Sequence, residues 1–349
     1  MAEFDHRIEN SGTSKLVVEH VMTLMDTEDE IFTVKYDPKD KYIACGCGDG
    51  AIRVYNVFTG KMSFLLADTE DEDDFLFPIT CLRWRPVTAE MKAKNVLVAC
   101  SADGLLYHWH VTSGKLLHTL DLSDHGSQFF CLDFSPDGKN LALGAKDKTI
   151  RIVDEHTKTL VSTLEGGTGV LGHSNRVFSV KYIPEDPNLI ISGGWDNTVL
   201  LWDLRTSKVV SSFYGPHICG DSLDIRNGKI LAGSYHNSDN LYLIDLETLE
   251  LDQKINWYGD GFKKKDGKSP SSLYSALYTS DGSHIIAGGA SPNEVRIFKN
   301  EEDGHKVVSS ISDLESCPLS IDVAHSSNQF AFGTADGYLR IMNLTESED

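Results

Sequence analysis

Positive charge is scarce in this 349-residue chain, where 32 Lys and Arg face 52 Asp and Glu for a formal charge of −20. So acidic a surface repels phosphate backbones and anionic headgroups, which argues against nucleic-acid or membrane binding and favours partners with basic segments. Paired cysteine spacing is also missing. Seven cysteines occur, none as Cys-x-x-Cys, and most sit inside apolar runs such as Val98-Ala99-Cys100 and Phe130-Cys131-Leu132. An odd set of thiols placed like small hydrophobes fits a reducing compartment. Long apolar stretches are absent as well. Leu16 to Met25 is broken by Glu19 and His20, and Met1 to Asp5 leads into no apolar segment, so neither a signal peptide nor a membrane span is expected. The expected location is cytoplasm or nucleus. No window holds helical periodicity, which leaves an all-β chain.

What is present is a repeat. An apolar strand ending in small residues, an Asp-containing turn and an alternating strand recur from Tyr42 to Asn56, Val96 to His110, Leu141 to Asp154 and Leu189 to Asp203. Three further copies lie around Ile230 to Asp245, Ile285 to Lys299 and Phe330 to Asn343. Turn residues Asp49, Asp103, Asp147, Asp196 and Asp336 mark five units, with His236 and Ser291 standing in the other two. A strand precedes each phrase, as in Val34 to Pro38 or Val180 to Pro184, and a short fourth follows, such as Lys61 to Ala67. Four strands per unit describe one propeller blade. The last unit has only three. Lys15 to Leu24 reads as an unattached strand, and pairing it with the final blade would close the ring and remove its open edge. The expected architecture is a seven-bladed β-propeller over residues 15–344, with tails at 1–14 and 345–349.

The phrases resemble the WD-repeat β-propeller family. The blade around Leu189 to Tyr214 matches best, with His173, Ser192, Asp196 and Trp202 at the family's positions. The resemblance implies that these four form a hydrogen-bonded structural tetrad rather than a catalytic triad, since they sit inside one blade's packing. Ala99, Leu143 and Phe332 replace the Ser in other blades, and Tyr55, Val153, Ile244, Phe298 and Met342 replace the Trp.

Candidates for chemistry are few. Cys45 with Cys47, and His108 with His110, are same-face pairs that lack further local ligands for zinc. Gly166 to Gly169 has no helix after it to hold an anion and reads as a loop. The acidic run Asp68 to Asp74 and the basic run Lys263 to Lys265 read as solvated loops, with docking of a basic segment as the acidic run's alternative role. No catalytic residue, cofactor or metal site is expected.

Aligning the first strands predicts that Phe32, Thr80, Phe130, Phe178, Asp221, Tyr274 and Leu319 surround the channel mouth. Lys146, Trp195 and Tyr235 precede the central turns of neighbouring blades, and Arg176 falls beside Phe178. Large aromatics and Arg dominate binding hot spots. The expected function is therefore a non-enzymatic scaffold or adaptor that binds a protein or peptide at this mouth, as a monomer within a larger complex. The alternatives are a structural subunit of a large cytoskeletal or ciliary assembly and, behind it, a propeller enzyme with a channel metal site.

Overall fold

The computed structural model describes residues 6–11, 16–68, 76–87, 94–123, 127–258, 269–301 and 304–346. Thr69 to Asp74 of the acidic run and the Lys263 to Lys265 run lie outside them. Seven antiparallel sheets form, five of them built from four strands that follow one another in the chain and two that also take in a strand from the N-terminal region. The innermost strands are Ile31–Tyr36, Ile79–Trp84, Phe129–Phe134, Val177–Ile183, Leu223–Arg226, Ser272–Tyr278 and Pro318–Val323. Each touches the next, and the last touches the first, so the ring is closed. The chain is a seven-bladed β-propeller.

Burial explains the residue pattern within a blade. The second strand is sandwiched between neighbouring blades, and Val96–Ser101 is buried at every position. The outermost strand meets solvent on one side, and Lys208–Tyr214 alternates accordingly. Cores form between blades rather than within them. One such cluster joins Ala44, Ile52 and Val54 of the first blade to Leu82, Leu97 and Trp109 of the second. Each fully buried branched side chain there contributes about 1.5–3 kcal/mol.

The Asp turns link second and third strands. The carboxylates of Asp49, Asp103, Asp147 and Asp196 each accept the backbone N–H two residues on, at 3.0–3.2 Å. The following residue takes a left-handed conformation, which is why Gly50, Gly104 and Gly337 occur there with φ of 80°, 91° and 79°.

Closure follows the expected route. Leu16–Leu24 pairs antiparallel with Leu339–Glu346, running from Leu16 opposite Glu346 to Leu24 opposite Leu339. The stretch expected to be an N-terminal tail is not all tail. Arg7–Asn10 adds a fifth strand to the outer edge of the sixth blade, Arg7 opposite Ser312. Asn10 joins the two roles: its side-chain oxygen accepts the Val18 N–H at 3.0 Å and the Ser309 hydroxyl at 2.8 Å. The final strand likewise runs two residues beyond the expected boundary at 344.

Val18 is 2% exposed at this seam. Val18→Asp is expected to destabilise the ring by about 3 kcal/mol or more, because a carboxylate would be buried without a partner. Asn10→Ala should cost about 1 kcal/mol, the scale of its hydrogen bonds. Urea unfolding followed by circular dichroism measures both.

Candidate functional site

All seven residues expected at the mouth line one cavity of about 530 Å³, together with Trp195 and Tyr235. They share a register. Each lies three residues before the axial position of its inner strand, which is occupied in blade order by Lys35, Arg83, Asp133, Lys181, Asp224, Leu277 and Asp322. The upper layer is largely aromatic and the layer beneath it is charged.

The aromatic wall is a continuous stack. Phe130 lies on Phe178 with ring centroids 4.5 Å apart and planes 11° apart. Phe178 stacks on Trp195 at 5.1 Å, and the Arg176 guanidinium covers the Trp195 ring at 4.8 Å. Trp195 continues to His217 at 6.0 Å, while its indole N–H donates to the Cys219 sulfur at 3.0 Å. Tyr235 and Tyr274 pack together at 4.9 Å. These rings are half-buried, and Phe32 across the mouth is 37% exposed. Stacking fixes the rings in place while leaving their edges accessible. Lys146 is exposed and does not line the cavity, although its backbone N–H holds the rim through the Gln128 carbonyl at 2.8 Å.

Asp221 behaves differently from its neighbours in the layer. It turns down the axis and meets Arg83 at 2.8 Å, Lys181 at 3.2 Å and Lys35 at 3.4 Å, cations from three other blades. Burial alone would raise its pKa, but Arg83, Lys181 and Lys35 hold it well below the usual carboxylate range. Arg83 also bridges to Asp133, and Lys35 to Asp322. Asp133 and Asp322 then accept the backbone N–H of Tyr182 and Tyr36 in the neighbouring blades, at 2.9 and 2.8 Å. Asp221 is therefore a keystone under the cavity, already compensated, and not an open anionic ligand.

The four residues read as a tetrad come together. His173 reaches Asp196 through Nδ1 at 2.8 Å and Ser192 through Nε2 at 2.7 Å, and the Trp202 indole N–H donates to the Ser192 hydroxyl at 2.8 Å. Burial would push the Asp196 carboxyl up, but His173, Thr198 and the Ser174 N–H bring it down to about 2. Four of the six blades without this set carry an Arg that the sequence reading missed. The third-strand position facing the Ser is Leu200 in the tetrad blade but Arg53, Arg151, Arg296 and Arg340 in four others. Arg53 grips Asp49 with two bonds of 3.0 and 2.6 Å, and Arg151 holds Asp147, Ser127 and the Leu122 carbonyl. The signal was present as Asp-x-x-x-Arg at 49/53, 147/151 and 336/340.

The remaining same-face pairs do not converge. His108 faces the buried Glu155 at 3.0 Å, whereas His110 bonds Ser113 at 2.6 Å. Cys45 and Cys47 are both buried. Among the described residues no group of three or more His, Cys, Asp or Glu side chains is placed to hold a metal ion.

Comparison with known proteins agrees with this geometry. The family model described as WD domain, G-beta repeat matches residues 114–154 and 159–203, and that of the anaphase-promoting complex subunit 4 WD40 domain matches 13–87. The chain belongs to the WD-repeat β-propeller family. The first matched WD repeat starts at the outer strand Lys115–Asp121 of one blade and ends in the third strand of the next, a one-strand offset that leaves the last blade to be completed by the opening strand. A U3 small nucleolar RNA-associated protein 21 homolog of Schizosaccharomyces pombe is 28% identical over 54% of this chain and 19% of its own length. A periodic tryptophan protein 2 homolog of Dictyostelium discoideum is 23% identical over 74% and 27%, and a guanine nucleotide-binding protein subunit beta of Zea mays 28% identical over 43% and 37%. The propeller thus spans between about a fifth and two-fifths of these relatives.

Ser192→Ala would leave His173 Nε2 and the Trp202 N–H without their buried partner, so a loss of about 2–4 kcal/mol is expected in urea unfolding. Asp196 has a lowered pKa in the fold, so its stabilisation is full above about pH 4 and is lost as pH falls towards 2. Asp196→Asn should therefore remove about 2 kcal/mol at neutral pH and flatten the stability curve between pH 4 and 2.

Proposed function

We propose that this WD-repeat propeller is a non-enzymatic interaction scaffold that receives a peptide or protein segment at its channel mouth. The observation that carries the reading is the stacked aromatic cavity of about 530 Å³, within the size range of ligand pockets and rich in the residue types that anchor interfaces. An indole at a turn position serves no blade core; Trp195 instead extends the wall begun by Phe130 and Phe178. The relatives fit the same class, being named as a guanine nucleotide-binding protein subunit, a nucleolar RNA-associated protein homolog and, in Arabidopsis thaliana, autophagy-related protein 16. The nucleolar name of one relative supports a cytoplasmic or nuclear site of action.

A second cavity of about 620 Å³ opens between the sixth and seventh blades at the opposite face. Several of its polar groups are already bonded within the protein: Asp281 accepts Thr279 and Ser283 hydroxyls at 2.6 Å each, and the Ser326 hydroxyl donates to Asp40 of the first blade at 2.6 Å. That face serves the alternative reading of a structural subunit held from below.

Affinity purification with mass spectrometry separates the two. Phe178→Ala with Trp195→Ala should weaken partner recovery by about thirtyfold or more, the effect of losing one hot-spot residue or better, with the melting temperature within a few degrees of wild type. Ser327→Glu, on the opposite cavity, should leave recovery unchanged. Loss through Ser327→Glu alone would replace the mouth reading with the structural one.

A further inference from the structure

The rim of the mouth is uneven, and its unevenness has a direction. In five blades the residue before the turn Asp donates its N–H to the carbonyl just ahead of the inner strand, and in blade five Tyr235, before His236, donates to the His217 carbonyl farther upstream, so these six residues occupy corresponding rim positions. Blades four and five raise Trp195 and Tyr235 there, whereas blades one, two and seven have only Gly48, Ala102 and Ala335. The wall is high on one side and low on the other.

The low side is acidic. The segment between blades seven and one presents Glu28, Asp29 and Glu30, all exposed, immediately before Phe32 of the cavity. Its placement is tight. A Cβ at Gly337 would collide with the Thr27 carbonyl, and one at Gly48 would come within 2.8 Å of the Glu30 carboxylate, so that carboxylate lies over the gap in the rim. The high side carries Arg176, and exposed Lys146 occupies the rim position of the adjoining blade three. Inside the cavity a guest cation would find no spare counter-charge, because Asp221 already serves Arg83, Lys181 and Lys35.

We infer that the mouth takes a peptide segment whose apolar or aromatic side chain fills the aromatic cavity and whose adjoining Lys or Arg residues leave over Gly48 and Ala335, against Glu28, Asp29 and Glu30. This rests on the mouth being the binding face, as proposed above. Apolar burial holds the anchor, and the charge gradient across the rim sets the direction in which the basic residues run. The contribution of the exposed charges falls as salt rises.

Random peptides displayed on phage, selected against the whole purified chain, provide the test. Wild type should enrich peptides with an aromatic or branched apolar residue beside Lys or Arg. The charge-reversed variant E28K/D29K/E30K should bind those peptides about tenfold more weakly, in line with three surface ion pairs, and should itself enrich the same anchors beside Asp or Glu. Trp195→Ala with Phe178→Ala should lose the enrichment while keeping the wild-type melting transition. Enriched peptides that need Trp195 but show no basic bias, or a bias unmoved by the charge reversal, would overturn this inference and leave the mouth as a binding face. No enrichment by a folded wild type, or enrichment indifferent to Trp195 and Phe178, would overturn both.

Discussion

At the axis of the propeller seven inner strands converge, and their facing side chains could have formed an apolar plug. The chain instead places Lys35, Arg83 and Lys181 among Asp133, Asp221, Asp224 and Asp322. Their pairing links every sector but the sixth to another, three bridges joining neighbouring blades and two, from Asp221 to Arg83 and to Lys35, spanning blades that are not neighbours. Removing one member would leave a buried charge uncompensated, which costs far more than the pair itself contributes. The same carboxylates also tie blade to blade. Asp224 accepts the Tyr278 N–H at 2.8 Å, repeating what Asp133 and Asp322 do elsewhere in the ring. Burial pushes the Asp224 carboxyl up, whereas Asp221, with three cationic neighbours, is held well below the usual carboxylate range.

This axial layer gives the aromatic layer above it a rigid floor. Phe178 packs against the core between the fourth and fifth blades, and Phe130 and Trp195 stack on it from either side, so the rings stay at the mouth above the layer of paired charges. An apolar cavity over a compensated ionic plug is thus a consequence of two registers three positions apart, with Phe32/Lys35, Phe130/Asp133 and Phe178/Lys181 setting an aromatic ring above a charge.

Most of this arrangement was legible in the sequence because a repeat turns alignment into geometry. Once the turn Asp of each unit is in register, the mouth residues and the donor strand at Leu16–Leu24 follow by counting. Arg7–Asn10 was not legible: four residues with one large apolar side chain, Ile8, carry no periodicity, and only the free edge of the sixth blade makes them a strand. Asp221 was placed correctly at the mouth but its downward turn depends on cations from the first, second and fourth blades, which no local spacing brings together. His217 and Cys219 escaped notice because they matter only through their contact with Trp195.

The tetrad and the arginine clamp answer the same physical need, and their interchange explains how the rim comes to be specialised. A turn Asp half-buried between blades needs donors. One blade supplies imidazole, hydroxyl and indole, while Arg53 and Arg151 supply a guanidinium from the third strand, reaching the carboxylate from below. In neither case does the side chain just before the Asp take part. What that residue shares from blade to blade is its backbone N–H, so the turn itself makes no demand on its side chain. Gly48, Ala102, Lys146, Trp195, Tyr235 and Ala335 can therefore differ freely on an unchanged frame. A position held by its backbone and released at its side chain is where a repeat fold can build a high aromatic wall on one side of its mouth and a low gap beside an acidic segment on the other.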